Sequence, residues 1–254
     1  MKYLLLLLTW LSCYSSSFGQ TIETDRPNQT NSAKVVPHKS LQLETGLLYE
    51  NFENPYFTNK QNFTLPTVSV RYGILSWLEL RALSDLNIFD NGVIPVMANT
   101  TFQFGTKIQL YNRPKSKTKL AVLTQVQFPE NGDFASLTNY NFVYQLLASH
   151  SFSKSVGVSS NVGWNFYPVS DEVSLTYTFA VGVKLGKKTT LLLEPYGEYY
   201  NYSLSTLNFN AGIAYLINNQ LQIDLYVGRE FYEVKNFVGA GISWLFLPSK
   251  EISL

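Results

Sequence analysis

Only one cysteine, Cys13, and two histidines, His38 and His150, occur in the 254 residues. A lone thiol excludes an intramolecular disulfide. Two histidines so far apart give no zinc-binding pattern, and no Cys-x-x-Cys pair or Gly-rich phosphate loop is present, so neither a metal nor a nucleotide cofactor is expected. Charged residues make up 15% of the chain, with a net charge of +1. That leaves no electrostatic footprint for a nucleic acid. After residue 20 no apolar run approaches the roughly eighteen residues that a membrane helix requires. Any part that crosses a membrane is therefore built from strands, and in lipid only a closed barrel satisfies all the backbone polar groups of strands.

What is present points that way. Met1, Lys2 and Tyr3 precede Leu4 to Leu8, Thr9, Trp10 and Leu11, followed by Ser/Gly-rich sequence. A positive start and a short apolar run are the pattern of a secretory signal peptide, too short to span a bilayer. Ser17 and Gly19 place cleavage between Gly19 and Gln20, which discards Cys13. A rival reading takes Leu11-Ser12-Cys13 as a lipobox and Cys13 as a lipidated N-terminus; Trp10 fits that motif poorly.

Beyond the leader the hydrophobic period is two. Leu175, Tyr177, Phe179, Val181, Val183 and Leu185 alternate with Thr176, Thr178, Ala180, Gly182 and Lys184; the stretches 206–217 and 220–228 behave alike. Such alternation marks strands with one greasy and one small or polar face. Twelve strands are expected, near 41–50, 62–72, 76–85, 99–110, 118–128, 139–151, 154–166, 173–185, 189–199, 206–217, 220–228 and 236–246. Tight connections at Gly73–Ser76, Phe152–Ser153, Gly186–Lys188 and Asn218–Asn219 alternate with longer links at 51–61, 86–98 and 129–138, as periplasmic turns alternate with outer loops. The basic link 111–117 is longer than that scheme expects. Trp77 and Trp244 fall near the inner rim, and Trp164, Phe166, Tyr199 and Tyr200 near the outer one, where aromatic belts lie.

A soluble barrel would show the same periodicity with its greasy face inward. Against it stand the signal peptide, the absence of outward charge runs, and small residues such as Gly157, Gly163, Gly182, Gly212, Gly239 and Gly241 on the polar faces. The expected fold is all-β: a transmembrane antiparallel β-barrel of about twelve strands over 41–246, preceded by a signal peptide (1–19) and an extended segment (20–40), and followed by a tail (247–254). The outer membrane, reached through a cleaved signal peptide, is the expected location. Lipid and the barrel-assembly machinery are the expected partners. Val238, Ala240, Ile242, Trp244 and Phe246 form the lipid face of the closing strand and the assembly signal.

The opening Thr24-Asp25-Arg26-Pro27-Asn28-Gln29-Thr30, with Ser32-Ala33, Val35-Val36-Pro37 and Leu41-Gln42-Leu43-Glu44 behind it, resembles the family called "putative MetA-pathway of phenol degradation". The resemblance spans the mature chain; the T-D-R-P-x-Q-T element and the L-Q-x-E strand carry it. It implies an outer-membrane channel for small, hydrophobic or aromatic, molecules.

Strand direction collects Glu44, Glu79, Glu194 and Asp224 with Arg71, Arg81, Lys107 and Lys184 in the periplasmic half of the lumen. Ionisable groups there are costly unless paired or hydrated. They form either a pore lining or a structural network that holds a narrow barrel shut. Glu50 and Glu198 lie higher. The segment 20–40, with Pro27 and Pro37, is too polar for a strand and lies in the periplasm or in the lumen, where Asp25 and Arg26 can dock on those charges, as a gating plug or as a rigid seal. No catalytic residue is expected. A lipid hydrolase would need His150 beside Ser149 or Ser151, yet neighbours in a strand point to opposite faces. A small-molecule channel, its solute unknown, is the leading function; a sealed structural or adhesive barrel and, last, a hydrolase are the alternatives.

Overall fold

In the computed structural model, the described residues are 21–27, 29–53, 60–90, 95–129, 140–203, 205–232 and 234–248. The expected leader with its cleavage point, Cys13, most of the long outer links and the end of the tail lie outside them. Period-two alternation becomes twelve strands: β1 (Leu41–Phe52), β2 (Lys60–Leu75), β3 (Leu78–Asp90), β4 (Pro95–Tyr111), β5 (Thr118–Gln127), β6 (Asn141–Ser151), β7 (Val156–Tyr167), β8 (Glu172–Lys184), β9 (Thr189–Tyr200), β10 (Thr206–Asn218), β11 (Leu221–Glu230) and β12 (Lys235–Phe246). Every strand pairs with its sequence neighbours, and β1 pairs with β12 from Leu41↔Phe246 to Phe52↔Lys235, so the barrel is closed and antiparallel.

Strands β2, β3 and β4 run past the limits that apolar alternation suggests. Asp90 still pairs with Pro95 across β3 and β4, because backbone pairing can continue where no greasy face requires it. At the inner rim the turns are short. The β10–β11 turn is two residues long, and Gly186 in the β8–β9 turn has φ 95°, a left-handed conformation that glycine adopts without penalty. The longer basic link, 112–117, is closed by the Ser116 amide donating to the Arg113 carbonyl.

Polarity is inverted relative to a soluble protein. Leu146, Leu225 and Val227 are at least half exposed on the outside, whereas Arg71, Lys107, Glu79 and Glu194 inside are at most 1% exposed. An outward band of apolar side chains around a polar interior is the pattern of an outer-membrane barrel. Trp77, Trp164, Phe166 and Tyr199 are exposed as aromatic belts require. Tyr200 differs. It shares the inward face of β9 with Glu194 and stacks on Tyr167 with ring centroids 6.4 Å apart, because the even positions of β9 point into the lumen.

Candidate functional site

The lumen holds the chain's own N-terminal segment, residues 21–40, as a loop whose two ends rest on the periplasmic rim. At one end the Ile22 amide donates to the Asn219 carbonyl in the β10–β11 turn. At the other, His38 bridges to Gly73 and the Lys39 amide donates to the Gly73 carbonyl, just before β1 begins. Ile22, Val36 and Leu245, with Leu216 and Leu247, form an apolar cluster between the two ends. Leu247, the first tail residue, thus packs against the barrel's lower end.

Three carboxylates meet three cations on one side. The Asp25 carboxylate lies 3.3 Å from Arg71 Nη1, 3.2 Å from Arg81 Nη2 and 3.2 Å from Lys107 Nζ, and accepts a 2.8 Å hydrogen bond from the Ser32 amide. Arg71 holds Glu79 with two donors, at 2.8 and 2.9 Å, and Glu44 with a third at 2.8 Å. Glu79 also accepts from the Val36 amide at 2.8 Å, and Lys107 donates to the Ser32 carbonyl at 2.9 Å. Burial alone would raise the Asp25 carboxyl, but the charges of Arg71, Lys107 and Arg81 hold it well below the usual carboxylate range. It stays ionised at neutral and mildly acidic pH.

Arg26 makes a second contact set, with Asp224 at 3.3 Å, Thr67 Oγ1 at 3.1 Å and the Ala240 carbonyl at 3.0 Å. Glu194 makes a third without a cation among the described residues. Its carboxylate accepts from the Gln29 amide at 2.9 Å, the Thr30 amide at 2.6 Å, the Thr30 hydroxyl, and Asn210 at 2.7 Å. Paired backbone donors solvate an anion in place of a counter-ion.

Of the eight inward charges singled out in the sequence, Glu44, Arg71, Glu79, Arg81 and Lys107 come together, while Glu194 and Asp224 each meet the segment separately. Lys184 joins neither; it closes β8 at the periplasmic rim and is exposed. Neutral amides do work that the charge pattern does not announce. Asn161 accepts from the Asn31 amide at 2.6 Å and donates to the Asn31 carbonyl at 3.0 Å, and Gln145 accepts from the Asn31 side chain at 3.1 Å. Inward orientation follows from strand parity, but nothing in an Asn or Gln distinguishes this role from a wetted wall. Ala33 packs against Ala121, Leu123 and Leu147. His150 meets Thr118 at 2.8 Å and the Phe152 ring, whereas Ser149 meets Ser159 on the inward side.

Glycines record how unevenly the segment fills the lumen. A Cβ at Gly241 or Gly46 would overlap the Arg26 guanidinium, whereas one at Gly182 would find Leu192 at 3.5 Å and one at Gly157 only the His150 carbonyl at 3.6 Å. Gly241→Ala therefore expels Arg26 and leaves Asp224 unpaired, which should destabilise the chain by about 1–3 kcal/mol. Gly182→Ala should be neutral. Unfolding midpoints in urea, measured in lipid vesicles, compare the two.

These contacts define a closed twelve-stranded barrel of the outer-membrane type with its own N-terminal segment folded into the lumen. The chain belongs to the family described as "Putative MetA-pathway of phenol degradation", whose model matches residues 24–246, from the docked Thr24 to the end of β12. Among solved structures, the COG4313 outer membrane channel from Pseudomonas putida F1 is similar at a TM-score of 0.65 and 10% identity, covering 88% of this chain and 100% of that one. The NanC porin gives 0.58 at 8% identity, over 80% and 98%. The CymD monoaromatic hydrocarbon channel gives 0.50 at 12% identity, over 82% and 88%. At such identities the likeness is one of fold. No curated protein matches the sequence.

Proposed function

We propose that the chain is an outer-membrane channel for small molecules, reached through a cleaved signal peptide, and that residues 21–40 close it reversibly. The observation that carries this reading is the polar character of the segment's seat. Asp25, Arg26, Gln29, Thr30 and Asn31 are held by ion pairs and hydrogen bonds rather than by an apolar core. Water can replace each of those contacts when the segment leaves, so undocking exposes a lumen that hydrates. A sealed structural barrel would be stabilised better by apolar packing at the same positions. Hydrophobic or aromatic solutes are the finer reading. The CymD channel, similar in fold, is described as a channel for monoaromatic hydrocarbons.

The test is a reversible lock. The Ala33 amide donates to Ser149 Oγ at 3.1 Å, so Ala33→Cys with Ser149→Cys, in a chain whose only other cysteine is Cys13, introduces two thiols at positions already in contact. Planar-bilayer current should be absent when the pair is oxidised and return on reduction. Equal current in both states would refute closure by the segment. No current in either would favour a sealed barrel.

A further inference from the structure

The segment is tied to strands on both sides of the lumen, and between those ties part of the lower lumen stays open. There a cavity of about 390 Å³ runs inward from the periplasmic rim between the segment and strands β6 to β10. Its size falls within the range of small-molecule sites. Its mouth carries Lys34, Lys117, Lys119, Lys154, Lys184 and Lys188, and among the described residues Glu23, paired with Lys34, is the one carboxylate in its lining. Lys154 and Lys184 have no ion-pair or hydrogen-bond partner for their ammonium groups among the described residues. Burial, together with the like charges of Lys119 and Lys184, pushes the Lys34 ammonium down to about 8, as expected where cations crowd without enough anions.

Inside the ring of lysines, Ile22, Ala180, Leu192, Ala214 and Leu216 make an apolar floor beside the polar Arg26, Thr30 and Ser32, and Gly157 and Gly182 leave it room. A cationic mouth over an apolar floor selects a molecule with a negative head and a greasy body. Either half alone would be poorly matched: an inorganic anion leaves the floor wet, and a neutral hydrocarbon leaves the lysines unpaired.

We propose that this periplasmic cavity is a binding site for small organic anions, a carboxylate carried on an apolar body. The site goes beyond the channel reading and does not depend on it, because occupancy is an equilibrium property of the closed chain and needs no passage.

Equilibrium dialysis of labelled benzoate against the folded full chain in neutral detergent tests it, with benzyl alcohol and acetate as probes lacking the charge or the body. Benzoate should bind at one site and both analogues at least tenfold more weakly. Lys154→Gln with Lys184→Gln should weaken benzoate about tenfold, equivalent to about 1.4 kcal/mol. Gly182→Leu should abolish binding by filling the floor while every charge remains. Lys235→Gln, at the outer mouth beside Glu50, should change nothing. Circular dichroism confirms that each variant keeps its strands.

Benzyl alcohol binding as tightly as benzoate, or benzoate binding indifferent to both the lysine pair and Gly182→Leu, would overturn the proposal. Displacement of benzoate by phosphatidylglycerol through the same lysines would reassign the site to a lipid headgroup and also overturn it. Equal current from the oxidised and reduced thiol pair, or none from either, leaves these outcomes untouched, so failure of the channel reading and failure of the site are told apart.

Discussion

A chain lacking residues 20–40 should pass a steady current in planar bilayers at voltages where the intact chain passes only brief openings. The deletion ends just before β1, and no strand-to-strand pairing involves the residues it removes. Among the partners it takes away from the wall are the Asp25 carboxylate, the Arg26 guanidinium, the Gln29 and Thr30 amides on Glu194, the Asn31 groups on Asn161, and the Val36 amide on Glu79. The wall groups then face water, which solvates charges at far lower cost than a dry lumen. Arg71 still holds Glu79 and Glu44, and Arg81, 3.9 Å from Glu79, balances the second carboxylate, so the barrel should persist. Arg81, Lys107 and Glu194 become a hydrated lining, and replacing Arg81 or Lys107 in the deleted chain should then shift ion selectivity toward cations. Absence of current in the deleted chain would mean that the remaining charge network fills the lumen unaided.

Arg71→Met should destabilise the intact chain by about 3–5 kcal/mol, since it strips a cation from three buried carboxylates at once. Two of them, Glu44 and Glu79, sit on the wall, and Asp25 sits on the segment, so the loss acts on both the barrel and its seal. Urea unfolding in lipid vesicles reads the first effect and bilayer current the second. Arg71→Met combined with Glu79→Gln separates them. Removing both members of a buried pair often restores stability, whereas removing one does not. If the double variant regains its unfolding midpoint yet conducts more often than the native chain, the network's contribution lies in seating the segment. If it regains the midpoint and stays shut, the amide contacts around Asn31 and Glu194 hold the segment by themselves.

The strands were legible because alternation with a period of two is a local signal. The ends of β5 to β12 fall within two residues of where alternation places them, and the excess length of β2 to β4 lies where pairing outruns apolar patterning. Parity along each strand likewise fixes which side chains face inward, and so gathers Glu44, Arg71, Glu79, Arg81 and Lys107. Partner choice within the lumen is another matter. It depends on the path of a segment with no regular structure, whose contacts are mostly between its backbone amides and distant side chains, such as Thr30 with Glu194. Residue type says nothing about those. Lys184 shows the limit from the other direction: its parity is right, but its height at the rim leaves it exposed, and height accumulates small errors in turn length that parity does not see. The cavity under β6 to β10 depends on the path that the segment takes through the lumen, and no pattern of residues announces that.

Arg26 touches Thr67 on β2, Asp224 on β11 and the Ala240 carbonyl on β12, and so straddles the seam where the first strand meets the last. Those partners are neighbours only after β1 and β12 have joined. Residues that are synthesised before any strand are thus the last to find their place, and a barrel halted before closure has nowhere to put them. Protection of residues 21–40 from a protease added on the periplasmic side would accordingly report completed assembly, separating finished barrels from open sheets that already contain all twelve strands.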